Sequence, residues 1–511
     1  MWYLALVSLL CQLSCFIYHI LVAFFTTLPL QYFDCFSRQS YPTSGKRVSI
    51  GMKENKVRET LGSRLGFILL SAGCAIGLGN VWRFPFITGR YGGAAFVLIY
   101  ILFLVILGLP VMVMELAIGR ASKQNIGLAM DTLTPTKKPW QVYGKLAIIG
   151  NYVLMMFYTT ITGWLLSYLV RMVRGEFSGL DASGVGGIFG GMLENPVAMT
   201  IWMLIAVVLG FLPVAKGLQS GVEKITKFMM LGLLALMIVL AFNSLLLKGG
   251  AEGLKFYLIP DFSRMAESGI FSAIYAAMGQ AFFTLSLGIG SIAIFGSYIG
   301  KENRLTGEAV RIISLDTFVA LCSGLIIFPA AFAFGIQPDA GPSLIFITLP
   351  NIFNQMAGGR FWGSLFFLFM SFAALSTLIA VFENIISFWI DTKGMSRKKA
   401  VLINAIAIII LSLPCILGFN LWSSFQPLGP GTGVLDLEDF VVSSTLLPLG
   451  SLVFTLYCTW KYGWGWDNFL AEADSGTGLK FPKALQFYFK FILPAVILGI
   501  FLKGYWDIFI A

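Results

Sequence analysis

The sequence predicts an all-helical protein that crosses a membrane many times, and three observations carry that prediction. Of its 511 residues 57% are hydrophobic and only 12% are charged, about half the charge of a soluble domain. The apolar residues come in long runs: Tyr91 to Met114 and Phe361 to Phe382 contain no charge, and each is long enough for a membrane helix of about 20 residues. Lys and Arg fall between the runs, so the net charge of +10 reflects positive-inside topology rather than a nucleic-acid surface.

Eleven spans follow in order, each an apolar run between polar connections. They lie near residues 64–89, 94–117, 141–170, 197–214, 223–247, 270–298, 308–336, 361–390, 399–418, 438–460 and 483–508. With the residues before 64 placed in the cytoplasm, 26 of the 35 Lys and Arg fall inside. The asymmetry survives removal of the seven N-terminal ones, so the expected location is the cell (inner) membrane, with the core N-terminus cytoplasmic and Ala511 outside. Residues 1–37 are apolar from Trp2 to Leu30 but lack the positive n-region and cleavage site of a signal peptide. They read as an extra helix or as translated upstream sequence with Met52 as the true start, the second being favoured.

Several chemistries are excluded. His19 is the only histidine, which rules out a histidine metal cluster or a Ser-His-Asp triad. The seven cysteines are scattered, six of them in apolar runs, and read as small buried residues. Gly45-Lys46, Gly144-Lys145 and Gly300-Lys301 lack the upstream glycine and following hydroxyl of a phosphate loop. Neither an enzyme nor direct ATP-driven transport is expected.

The first span contains Gly73, Gly77, Gly79, Asn80, Arg83 and Pro85, a poor continuous helix whose polar groups need partners at membrane depth. Gly73 and Gly77 also have the spacing of a helix-packing face. A second interruption falls in the sixth span at Ser286-Leu287-Gly288. Paired interruptions five spans apart point to a transporter binding site, where half-helix N-termini face a carboxylate and freed carbonyls coordinate sodium.

At these residues the sequence resembles the neurotransmitter:sodium symporter family of LeuT-type transporters. The likeness runs through Arg58-Glu-Thr, Gly77 to Pro85, Gly92 to Phe96, Pro110 to Gly119, Phe157-Tyr158 six residues before Trp164, Gln280 to Tyr298, Phe372 to Asp391 and Asp436 to Asp439. The resemblance implies a LeuT-type fold with discontinuous helices one and six. It places an N-terminal extension in 1–57, two inverted five-helix repeats in 58–250 and 251–462, and an eleventh helix in 463–511. It implies a sodium-coupled symporter working by alternating access, whose partners are a small-molecule amino acid substrate and the lipid bilayer; a homodimer is left open.

Residue by residue, the first sodium site would use Ala75, Asn80, Thr284 and Asp316 with the substrate carboxylate, and the second Gly73, Ile76, Ala373, Ser376 and Thr377. Asp316 stands where the LeuT pattern has asparagine. As a fixed carboxylate it would replace the chloride that other members hold near Tyr100 and Gln280, so two sodium ions and no chloride are expected. The substrate would meet Gly77, Leu78, Gly79, Leu154, Tyr158, Phe283, Ser286, Ile289, Thr377 and Val381. Gly77, where monoamine transporters carry aspartate, and the apolar Leu154, Ile289 and Val381 imply a hydrophobic or aromatic amino acid. An outer gate would pair Arg83 with Asp439 above Tyr158 and Phe283; an inner gate would pair Arg58 with Asp391, supported by Ser297 and Tyr298. Leu61 departs from the family tryptophan that plugs the inner gate. Glu383 reads as a solvated inner-vestibule residue in preference to a proton-sensitive group.

Two rivals are weaker. A channel needs rings or repeated filter segments, and a substrate sensor would carry a soluble output domain that these short loops do not supply.

Overall fold

The computed structural model of the chain describes residues 59–136, 138–335 and 344–509. Arg58 and the N-terminal extension, including Met52, lie outside the described residues.

Ser63 caps the first helix, accepting from the Gly66 N–H at 3.0 Å, as an N-terminal Ser does for an otherwise orphaned donor. Helix α1 (Arg64–Ala75) then gives way to α2 (Gly79–Arg90), the two bent by 56°. Next come α3 (Ala94–Ser122), the short α4 (Ile126–Leu133), α5 (Lys138–Arg174) and α6 (Ala182–Leu193). Helices α7 (Pro196–Ala215) and α8 (Leu218–Leu245) are the fourth and fifth spans, and α9 (Ala251–Leu258) and α10 (Phe262–Glu267) connect them onward. The sixth span is two pieces, α11 (Ile270–Thr284) and α12 (Ser291–Ser297). The seventh and eighth are α13 (Leu305–Ala333) and α15 (Gly359–Lys393), with α14 (Leu349–Gln355) between them. The chain finishes with α16 (Arg397–Leu417), α17 (Val434–Thr459), the amphipathic α18 (Trp466–Ala473) and α19 (Tyr488–Phe509).

Among the described residues nine helices are long and apolar enough to cross a membrane, and α1 with α2 forms a tenth. Ten of the eleven expected spans are met in this way, and the sixth is two shorter pieces, neither long enough to cross alone. Several helices outrun their apolar runs. Helix α5 has 37 residues, about 55 Å at 1.5 Å per residue against a hydrocarbon core of about 30 Å, so its charged ends reach the aqueous phases.

Helices α5 and α15 lie along one another at the centre, and most of the apolar stretch of α15 is buried. The periphery is the reverse: Leu98, Val208, Phe228 and Leu402 are each at least half exposed, the apolar surface that a bilayer covers. Helix α12 is held against α3 through small residues. A Cβ at Gly119 would lie 1.7 Å from the Ala293 carbonyl, and one at Gly296 2.4 Å from that of Leu116. Glycine there lets two backbones approach without side chains between them.

Candidate functional site

The two breaks face each other. Ile76 leaves helical geometry at the end of α1. Between α11 and α12, Ser286, Gly288 and Gly290 have φ of +51°, +103° and +69°, a region that favours glycine. Most backbone groups that lose helical partners here find others. The Gly288 N–H donates to Glu115 Oε1 at 2.6 Å and its carbonyl accepts from Tyr143 at 2.9 Å. Asn151 donates to the Ile289 carbonyl at 2.9 Å and Gln280 to that of Gly79 at 2.8 Å. The Gly77 N–H donates to Asn80 Oδ1 at 3.1 Å, and the Leu78 N–H to the Tyr158 hydroxyl at 3.3 Å. These polar side chains sit at membrane depth because unsatisfied backbone groups there cost several kcal/mol each.

Two clusters of oxygens flank the breaks. In one, Asp316 is fully buried; its carboxylate accepts from Asn80 Nδ2 at 2.8 Å and from Thr284 Oγ1 at 3.2 Å, both neutral donors, while Ala75 lines the adjoining cavity. Nearby, Tyr100 is buried beside Thr284, and Gln280 Oε1 is buried without a hydrogen-bond partner. In the other cluster, Thr377 Oγ1 lies 3.2 Å from the carbonyls of Gly73 and Ile76 and 3.4 Å from that of Ala373, and Ser376 Oγ is 2.8 Å from the last. These five are all neutral oxygens, the donor type a hard cation takes.

Between the clusters lies a cavity of about 30 Å³, lined by Gly77, Leu78, Leu154, Tyr158, Phe283, Ser286, Ile289 and Thr377, with Val442 and Leu447 from α17. At its polar end a Cβ on residue 77 would lie 2.5 Å from Tyr158 Oη and 2.7 Å from Thr377 Oγ1, so any side chain there must displace both hydroxyls. Val381 is buried and does not line the cavity. A vestibule of about 640 Å³ opens on the Arg83 side. Leu78, Tyr158 and Phe283 line both spaces, so they form the partition. Arg83 stacks 4.2 Å above the Phe283 ring. It shares the vestibule wall with Asp439, whose carboxylate accepts from Ser443 at 2.7 Å; the two charges face one another with no ion pair within 4.0 Å.

The family model of the sodium:neurotransmitter symporter family matches residues 58–179 and 188–508. The chain belongs to this family. It is therefore a sodium-dependent symporter and an integral membrane protein, not an enzyme. Similar proteins include the uncharacterized sodium-dependent transporter YhdH of Bacillus subtilis, 35% identical over 86% of this chain and 96% of its own length. An uncharacterized sodium-dependent transporter of Haemophilus influenzae is 32% identical over 88% and 99%. The crystal structure of MhsT in complex with L-phenylalanine matches with a TM-score of 0.79 at 38% identity, covering 88% of this chain and 100% of that one. The fold of the symporter is thus LeuT-type.

On the face of the symporter opposite the vestibule, the arrangement differs in part from the sequence reading. Asp391 accepts from the Asn125 side chain at 2.7 Å, while its expected partner Arg58 lies outside the described residues. Tyr298 donates to Glu383 at 2.9 Å and lies 2.7 Å from Ser387; Ser297 donates to the Ile294 carbonyl at 2.6 Å. The solvated reading of Glu383 is corrected: it is fully buried and paired with Arg397 at 2.6 and 3.1 Å, which also reaches Glu59 at 3.0 Å. Leu61 borders a separate cavity of about 400 Å³ with Phe67, Tyr298 and Glu308. Sequence reasoning missed the Glu383–Arg397 pair, because fourteen residues and a helix hairpin separate its members. It also missed a staple in which buried Arg120 bonds Glu472 at 2.6 Å and the Asn303 carbonyl at 2.8 Å.

Proposed function

We propose that the symporter imports a neutral, hydrophobic or aromatic amino acid together with two sodium ions, without chloride, across the cell (inner) membrane. The vestibule is then extracellular, the core N-terminus cytoplasmic and the C-terminus outside. The observation that carries this reading is the cavity between the two breaks, polar and backbone-lined at Gly77 and aliphatic at its other end. An α-amino acid has that same division. MhsT, whose structure holds L-phenylalanine, supports an amino acid as the class.

On this reading Asn80, Thr284, Asp316 and the Ala75 carbonyl hold one sodium, completed by the substrate carboxylate, and the cluster about Thr377 holds the other. The shared carboxylate is the basis of coupling, because each ligand completes the other's shell. The carboxylate of Asp316, bonded by neutral donors, supplies the fixed negative charge that would otherwise be asked of chloride. Tyr158 orients the substrate carboxylate and closes the pocket with Phe283. Arg83 and Asp439 close above it; Tyr298, Glu383, Arg397 and Asp391 close below. The scheme is alternating access, with the two repeats in 58–250 and 251–462 and the eleventh helix in 463–511; a homodimer is compatible with it.

The energetics suffice. One charge crossing 100 mV gains about 2.3 kcal/mol and a tenfold gradient adds about 1.4 kcal/mol. Two ions therefore supply about 7 kcal/mol, a zwitterion gradient on the order of 10⁵. The test is uptake of labelled amino acids into liposomes under an inward sodium gradient, with gluconate replacing chloride. Sodium-dependent accumulation in gluconate is expected. A strict chloride requirement would overturn the role of Asp316, and binding without accumulation would favour a sensor.

A further inference from the structure

The cavity bordered by Leu61 holds about 400 Å³, within the range of small-molecule sites, roughly 300–1,000 Å³, and it lies apart from the two breaks. Its walls come from different parts of the chain. One is the start of the first span, Thr60 to Arg64 with Phe67. It is pinned from behind by Glu223, which accepts from the Gly62 N–H at 2.7 Å and from Ser63 Oγ at 2.9 Å. The other wall is the chain leaving α12, from Tyr298 to Asn303, followed by Glu308 of α13. That segment is fixed at its carbonyls: Asn303 accepts from Arg120 at 2.8 Å, Ile299 from Lys123, and Glu302 from the Thr477 N–H at 2.9 Å. Both walls are bonded to the elements behind them, which keeps them apart.

The groups that face this space select a ligand. Glu308 is only 2% exposed, and its two oxygens are used unequally. Oε1 accepts from Arg64 Nε at 3.1 Å, Arg64 Nη2 at 2.5 Å and Arg311 Nη1 at 2.8 Å, whereas Oε2 is buried without a hydrogen-bond partner. A buried carboxylate oxygen is costly to leave unpaired, and the donor that suits it best is itself charged. Two guanidinium groups on one carboxylate also leave a surplus positive charge. Arg64 borders the cavity and is half exposed; two of its five guanidinium donors serve Glu308, and the rest are left for an anion. Leu61, Phe67, Tyr298 and Ile299 supply apolar surface beside these charges. An unpaired carboxylate oxygen, a cation with donors to spare and an apolar wall are complementary to the ammonium, carboxylate and side chain of a neutral α-amino acid.

We propose that this cavity is a second amino-acid site, for the product of transport. It faces the cytoplasm in the orientation given above, and it rests on the amino-acid symport reading. The ammonium sits on Glu308 Oε2, the carboxylate on Arg64, and the side chain on Leu61, Phe67 and Tyr298. Neither oxygen cluster at the breaks belongs to this cavity, so binding here needs no sodium. Tyr298 belongs both to the cavity and to the inner gate, where it bonds Glu383. A molecule held here therefore keeps Tyr298 in its closed place and ties the start of α1 to the chain leaving α12. Amino acid that accumulates inside slows the next cycle.

The test measures labelled L-leucine and L-phenylalanine bound to the purified full chain, in sodium and in potassium, at concentrations well above those that saturate the sodium-dependent site. Two molecules per chain are expected in sodium and one in potassium. Gly77→Ala, which obstructs the central cavity, should remove the sodium-dependent molecule and leave the other. Leu61→Trp, which fills the second cavity, should do the reverse. Glu308→Gln should weaken the potassium-resistant binding by about 10-fold or more, the scale of one lost charged hydrogen bond. Each variant shows its own folding through the molecule it keeps. In liposomes loaded with unlabelled L-leucine, uptake by Leu61→Trp should be slowed less than uptake by the wild type; equal slowing would overturn the braking role. One molecule per chain in sodium and none in potassium, or potassium-resistant binding unchanged in both Leu61→Trp and Glu308→Gln, would overturn this inference and leave the symport reading standing. Absence of sodium-dependent binding from the wild type would overturn the symport reading, and the product role with it.

Discussion

Replacing Asp316 by asparagine tests the proposed site most directly, because it removes one charge and almost no shape. Asp316 accepts from Asn80 at 2.8 Å and Thr284 at 3.2 Å. The asparagine oxygen can keep the first bond, and its amide can donate to the hydroxyl in place of the second. A sodium ion sharing these ligands would lie about 4 Å or less from the centre of the carboxylate charge. At an effective dielectric of about 20 that attraction is worth about 4 kcal/mol, close to three powers of ten in affinity. Water entering the open site reduces this, so Asp316→Asn should raise the sodium concentration for half-maximal binding on the order of 100-fold. Amino-acid affinity at fixed sodium should fall in parallel. The assay is binding of a labelled amino acid to purified protein across a sodium titration, in chloride and in gluconate. Chloride should recover part of the loss in the variant and do nothing for the wild type. A sodium dependence within threefold of wild type would refute the assignment of Asp316 as a ligand.

Three further outcomes follow from the geometry. Gly77→Ala, whose Cβ would lie 2.5 Å from Tyr158 Oη, should reduce sodium-dependent binding by about 100-fold or more, measured by the same titration; near-normal binding would place the substrate elsewhere. Arg397→Ala leaves Glu383 buried without its cation and should cost about 3 kcal/mol, read as a lower thermal-denaturation midpoint, with much of the loss recovered in Arg397→Ala/Glu383→Gln. Glu438 is buried with only the weakly bonding Cys415 thiol as its side-chain partner, so Glu438→Gln should leave that midpoint unchanged or raise it by the equivalent of about 1 kcal/mol, whereas a clear drop would show that the carboxyl needs that partner.

Much of this architecture is legible in the sequence because the bilayer imposes a simple rule on it. Runs such as Tyr91 to Met114 have no alternative to spanning, and a glycine pair beside Asn80, or Ser286 before Gly288 and Gly290, cannot sit in an uninterrupted apolar helix without a reason. The same rule exposes Asp316. What escapes is set by contacts with no local spacing. Glu383 meets Arg397 only because α15 and α16 turn back on one another, and Arg120 meets Glu472 across 352 residues. Helical periodicity also misleads where the helix is irregular. Val381, one turn beyond Thr377 on regular spacing, suggests itself as cavity wall, yet the wall is made by Val442 and Leu447, which regular spacing would separate. A widened turn such as Phe440–Leu446 leaves no mark in hydrophobicity alone.

On the proposed reading, ion and substrate share one group, Thr377. Its hydroxyl carries a single proton and sits at 3.2 to 3.4 Å from three carbonyls, while its oxygen also borders the empty space beside Gly77. Without a cation, that proton is used on a carbonyl, holding the break of the first span against α15. With sodium among the same carbonyls, on the proposed reading, the hydroxyl oxygen turns to the ion, and its proton must then point away from it. The direction left open is the cavity, where a carboxylate or another acceptor can take it. On that reading sodium replaces a contact internal to the protein by one that needs the substrate. The break between α1 and α2 can remain packed on α15 when both ligands are present, and each ligand alone leaves the other's contacts unmade.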